Sequence, residues 1–69
     1  MTRANYDIDR LAEDMTLKGW RAAELARRAG VSKMTTSRVF SGTATTPTMA
    51  KLAGALGYSL RRYYVRRAA

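Results

Sequence analysis

The sequence contains no cysteine and no histidine. That excludes disulfide staples and any zinc site built from Cys or His. It also excludes catalysis by a Cys–His or Ser–His pair. No cofactor, no metal and no enzymatic activity are expected. Proline occurs once, in Thr46-Pro47. The longest mostly apolar stretch, Leu52 to Leu60, is far too short to span a bilayer. The first ten residues lack the apolar core of an export signal, so the cytoplasm is the expected compartment. Acidic residues stop at Glu24.

What is present is base. The 69 residues carry 13 Lys and Arg against 5 Asp and Glu, for a net charge of +8. The balance is lopsided: residues 1–24 hold four bases and all five acids, Asp7, Asp9, Glu13, Asp14 and Glu24. Residues 25–69 hold nine bases and no acid. Such a body suits a polyanion, either nucleic acid or an anionic membrane surface. A chain this short buries only about 60% of its unfolded surface. Without staples, that favours a helical bundle, whose contacts are local.

The expected fold is all-α: a compact bundle of four to five short helices, forming a single domain over residues 1–69. Helix 1 is expected from Tyr6 to Leu17, capped by Asn5 or Asp7, with Ile8, Leu11, Ala12 and Met15 as its apolar stripe. Its acids are expected on an exposed face turned away from the anionic partner. Helix 2 runs from Arg21 or Ala22 to Ala29, with Leu25 and Ala26 inward, and Gly30 ends it. Ser32 then caps helix 3, Lys33 to Ser41, held by Val39 and Phe40. Thr46 as N-cap with Pro47 first in the helix opens helix 4, where Met49, Leu52, Ala53 and Leu56 form a stripe. Ser59 caps a short fifth helix, Leu60 to Arg66, unless residues 59–69 form a basic tail. Trp20 is expected in the core.

Two short helices joined by a glycine-containing turn are helix-turn-helix grammar. The motif is Leu25-Ala26-Arg27-Arg28-Ala29-Gly30-Val31-Ser32, followed by Lys33-Met34-Thr35-Thr36-Ser37-Arg38-Val39-Phe40-Ser41-Gly42. Ala26 is small where helix 3 crosses, Gly30 takes positive φ, and Val31 plugs the angle between the helices. With one helix before it and Thr-Pro-Thr-Met-Ala-Lys-Leu-Ala-Gly-Ala-Leu-Gly-Tyr after it, the chain resembles the lambda-repressor-like helix-turn-helix domains of phage repressors and Cro proteins over about residues 6–60. The stretch from Gly30 to Gly42 also looks like the lac-repressor-type headpiece. The extra first helix favours the phage arrangement.

The resemblance implies a stand-alone, sequence-specific repressor on operator DNA, without a small-molecule effector and without a membrane. Lys33, Met34, Thr35, Ser37 and Arg38 would face base edges in the major groove. Lys33 and Arg38 suit guanine O6 and N7, and Met34 a thymine methyl. Arg21, Arg27, Arg28, Ser32, Thr43, Thr45, Thr46, Lys51, Arg61 and Arg62 would lie near phosphates. Tyr63, Tyr64 and Val65 would make a homodimer contact. Three departures stand out: Arg21 where the family has a Ser or Thr cap, Ala22 where many members have a phosphate-touching Gln, and Thr36 where Val or Ile is usual. The Thr36 hydroxyl should bond back to the carbonyl of Ser32 or Lys33. The C-terminal Leu60–Arg67 segment admits three readings: packed helix with a dimer contact, basic tail on phosphate, or membrane-surface segment. Two other functions remain open, a protein-interaction module such as an antitoxin or anti-repressor, and a cationic membrane-active peptide.

Overall fold

Local sequence signals set the element boundaries. In the computed structural model, which describes residues 6–65, α1 spans Ile8–Leu17, α2 Ala22–Ala29, α3 Lys33–Phe40 and α4 Thr46–Leu56. A single 3-10 turn, Leu60–Tyr63, follows. Of the two candidate caps for α1, Asp7 serves: its carboxylate accepts from the Arg10 N–H at 3.0 Å. Tyr6 stands outside the helix. Ser32 caps α3 as the sequence indicates, accepting from the Thr35 N–H at 3.0 Å. Helix α4 begins one residue earlier than expected. Thr45 is its N-cap, Thr46 its first residue and Pro47 its second. Thr46 is instead engaged by Tyr6, whose hydroxyl lies 2.6 Å from its Oγ1.

Helix α4 is the centre of the bundle. Its stripe of Met49, Leu52, Ala53 and Leu56 is buried. Leu11 of α1, Leu25 of α2, Val39 of α3 and Tyr63 close around it. Helices α2 and α3 pack on each other, α2 also packs on α4, and α1 meets α4 and the 3-10 turn. Burying a leucine in this way contributes about 1.5–3 kcal/mol over leaving it exposed. Trp20 is half-buried at the rim of this core rather than inside it. Its ring face carries two cations, with the Arg28 guanidinium carbon at 4.5 Å and Lys18 Nζ at 5.6 Å from the centroid.

The C-terminal segment departs furthest from its expectation. The fifth helix is one 3-10 turn, not a helix to Arg66, and Arg66 itself lies outside the described residues. The segment is tied down by a polar clasp. Asp14 of α1, only 2% exposed, accepts from Arg62 Nε at 2.7 Å, Arg62 Nη2 at 2.9 Å and the Tyr63 hydroxyl at 2.6 Å. A backbone bond from Asp7 N to Tyr63 O at 2.6 Å and a one-residue antiparallel bridge between Tyr6 and Tyr64 extend it. The expectation that all helix 1 acids lie on an exposed face is therefore corrected for Asp14. An unpaired carboxylate could not remain charged there, so its three donors are a condition of its burial.

Candidate nucleic-acid interface

The turn before α3 is fixed by backbone angle. Gly30 has φ +74°, and a Cβ built on it would meet nothing within 4 Å. Glycine is thus suited to the left-handed angle, not to a lack of room. Its N–H bonds Arg27 O at 3.3 Å, and the Val31 N–H bonds Ala26 O at 3.0 Å, which closes the end of α2. Ala26 is 2% exposed beneath the crossing. The chain leaves α2 at one defined angle and enters α3 through the Ser32 cap.

Helix α3 has two unlike faces. Thr36 and Val39 are buried, and Phe40 packs against the core from a partly buried position. Of the two candidate carbonyls, the Thr36 hydroxyl takes that of Ser32, at 3.3 Å. Opposite them, Lys33, Met34, Ser37 and Arg38 are exposed, while Thr35 is half-buried. Thr35 is also occupied locally, since its Oγ1 accepts from the Ser32 hydroxyl at 2.8 Å. Met34 is 64% exposed, and its Sδ accepts from Arg38 Nη2 at 3.6 Å. The structure therefore brings four of the five residues selected for base contact onto one open face.

The basic residues divide by partner. Arg27 and Arg28 both bond one oxygen of Glu24, at 2.5 Å each. The two guanidinium groups, Arg28 first, hold the Glu24 carboxyl below the usual carboxylate range. Arg62 is bound to Asp14 and stacks over Tyr58 at 4.2 Å. Two of its N–H groups are committed to Asp14, so it differs from the unpaired bases as a candidate for phosphate. Among the described residues, no carboxylate pairs with Arg21, Lys33, Arg38, Lys51 or Arg61, all of them exposed. Arg21 is the N-cap of α2 and makes no side-chain capping bond. Thr43, Thr45 and Thr46 are exposed beside the start of α4, with the Thr45 hydroxyl donating to Thr48 Oγ1 at 3.0 Å.

A family model described as helix-turn-helix matches residues 11–63, most of the chain. The chain belongs to the lambda-repressor-like helix-turn-helix family. No curated protein and no solved structure gives a match. The family is one of DNA-binding transcription regulators and implies double-stranded DNA as partner. Among the described residues, no helix is long and apolar enough to cross a membrane. As a lambda-repressor-like domain, the chain has α2 and α3 as its helix-turn-helix, and α3 is the element such domains lay in the major groove.

The dimer residues also separate. Tyr63 is 0% exposed, with its hydroxyl on Asp14, so it is core and is withdrawn as a dimer contact. Burial, followed by the carboxylate it serves, pushes its phenol well above the usual tyrosine value. Tyr64 and Val65 remain exposed at 51% and 46%. Asp14 and Tyr6 were missed by sequence reasoning. Asp14 did leave a signal: it stands three residues after Leu11 and next to Met15, inside the apolar stripe of α1.

Proposed function

We propose that this protein is a sequence-specific repressor of the Cro or phage-repressor type, occupying operator DNA through the major groove. The observation that carries this reading is the contrast across α3. One face is locked into the core by Thr36 and Val39, and the other presents Lys33, Met34, Ser37 and Arg38 with no acid nearby in sequence. A rigid back and a free basic front are what direct readout of base edges requires. Ser37 and the half-buried Thr35 complete the reading set, with Thr35 at its margin.

Phosphate attraction comes from Arg21, Lys51 and Arg61, with Thr43, Thr46 and the Ser32 end of α3 as positioning donors and Thr45 joining them once its hydroxyl turns from Thr48. Arg27 and Arg28 add a weaker field, shared with Glu24. Tyr64 and Val65 are the homodimer contact in this reading. Two copies would then read a near-palindrome with half-site centres about 34 Å apart. Occupancy alone represses, with no small-molecule effector, in the cytoplasm.

A gel-shift series across salt concentration tests the proposal. The expected result is tight binding to an operator selected from random duplexes, with weak binding to its scrambled counterpart. Equal affinity for the two sinks it. The protein-interaction alternative predicts the reverse pattern: substitutions on α3 would be silent, and substitutions at Tyr64 or Val65 would abolish capture of a protein partner.

A further inference from the structure

Met34 and Arg38 lie four residues apart on α3, so their side chains rise from one face. Their ends meet, with Arg38 Nη2 3.6 Å from Met34 Sδ. Both are exposed, and neither has a carboxylate partner among the described residues. We propose that Met34 and Arg38 act as one reading unit for two adjacent base pairs: a guanine, and next to it a pyrimidine carrying a C5 methyl group. That pyrimidine is thymine or 5-methylcytosine. The inference rests on the operator-binding reading above and deepens it.

The spacing supports adjacency. Two side-chain ends 3.6 Å apart match the 3.4 Å rise between successive base pairs. With Nη2 turned toward sulfur, the other guanidinium N–H groups stay free for guanine O6 and N7. The thioether has no donor and is a weak acceptor, so it cannot sort bases by hydrogen bonding. It can sort them by a methyl group, the one apolar feature of a base edge in the major groove. Sulfur is soft and unbranched, and it fills such contacts well. Thymine and 5-methylcytosine are thus alike to Met34, whereas uracil and cytosine both lack the group it touches. Lys33 has no apolar partner of this kind and reads independently. One consequence is that methylating a cytosine at this position strengthens binding.

The test begins with an operator selected from random duplexes by the full chain. Each thymine is then replaced in turn by uracil, or its whole base pair by guanine paired with 5-methylcytosine or with cytosine. At one position uracil should weaken binding about four-fold, the value of one methyl-sized apolar contact. Cytosine should fall below 5-methylcytosine there by a similar factor. Met34→Ala should erase both ratios. Arg38→Ala should erase discrimination, about ten-fold or more, between guanine and 7-deazaguanine at the neighbouring pair. Both positions are exposed, so thermal unfolding of the free variants should be unchanged and loss of fold is excluded as a cause. If Met34→Ala leaves the thymine-to-uracil ratio intact, or if the two sensitive pairs are not neighbours, the inference is overturned and the operator reading stands. If selection enriches no motif at all, both fall.

Discussion

Arg38 and Arg62 carry the same guanidinium and end in opposite situations. Arg38 stands on an exposed helix face against a methionine sulfur, with no carboxylate bound to it among the described residues. Arg62 grips a buried carboxylate with two nitrogens and covers a tyrosine ring. The first charge is available to a partner, and the second is spent on the fold. A basic chain is therefore not a map of its binding surface until each base has been assigned a partner. Arg27 and Arg28 lie between the extremes, since both are exposed and share one half-buried glutamate, a pairing that water weakens.

The sharpest way to break this contrast is to remove Asp14. Asp14→Ala strands the Arg62 charge and the buried Tyr63 hydroxyl together. Leaving the buried Tyr63 hydroxyl without its acceptor costs about 1–3 kcal/mol, a large fraction of the stability of a domain this size. Urea unfolding should show that loss, whereas Arg38→Ala should leave the midpoint unchanged. The same pair predicts a pH dependence. The Arg62 guanidinium, ahead of the opposing effect of burial, holds the Asp14 carboxyl below the usual range. Its contribution is then fully present above about pH 4, the unfolded value, and is lost as pH falls through the depressed folded value. Asp14→Asn should flatten the acid limb of the stability curve. An unchanged acid limb would show that Asp14 is not what the clasp depends on.

What was legible in the sequence was local. Stripes at helical spacing, the Ser32 cap and Gly30 act within a few residues, so periodicity and residue type expose them. The division of α3 into a buried and an open face was legible for the same reason. The clasp was not, because Asp14 and Arg62 are 48 residues apart and only the packing of α1 against the 3-10 turn joins them. The expectations put Arg62 near phosphate and Tyr63 in a dimer contact. One long-range contact ties both side chains to Asp14. The bond between Tyr6 and Thr46, 40 residues apart, was hidden for the same reason.

Arg21 sharpens the comparison from the other side. It occupies the N-cap of α2 and satisfies no backbone donor there. Arg21→Ser should stabilise the fold by about 1 kcal/mol, the usual value of a cap. It should also weaken binding to every duplex alike, because a phosphate-attracting charge is lost. Thermal unfolding and a salt titration on the same variant read the two effects. A gain in stability with no loss of affinity would mean that Arg21 lies outside the field of the DNA. Glu24→Gln makes the converse change. It releases Arg27 and Arg28 without adding a charge of its own sign. The log–log salt slope should steepen by about 1, roughly one more phosphate neutralised. An unchanged slope would place both arginines beyond reach of the backbone.

The smallest expected effect concerns Thr36, the buried threonine where the family usually has Val or Ile. Its hydroxyl bonds Ser32 O at 3.3 Å, but that oxygen already accepts the Thr36 N–H at 3.1 Å. Removing the hydroxyl therefore leaves no backbone group without a partner. The side chain is 0% exposed, so the valine methyl that replaces the hydroxyl enters a site already closed to water. The donor goes with the hydroxyl and its acceptor keeps the Thr36 N–H, so no buried polar group is orphaned and the usual cost of a lost bond does not arise. Thr36→Val should raise stability by about 0.5 kcal/mol or less and leave DNA affinity unchanged, because position 36 faces the core and not the groove. A loss of more than about 1 kcal/mol in urea unfolding would mean that the Thr36 hydroxyl contributes to holding α3 in place. In that case the back of α3, like the clasp, would depend on a polar contact.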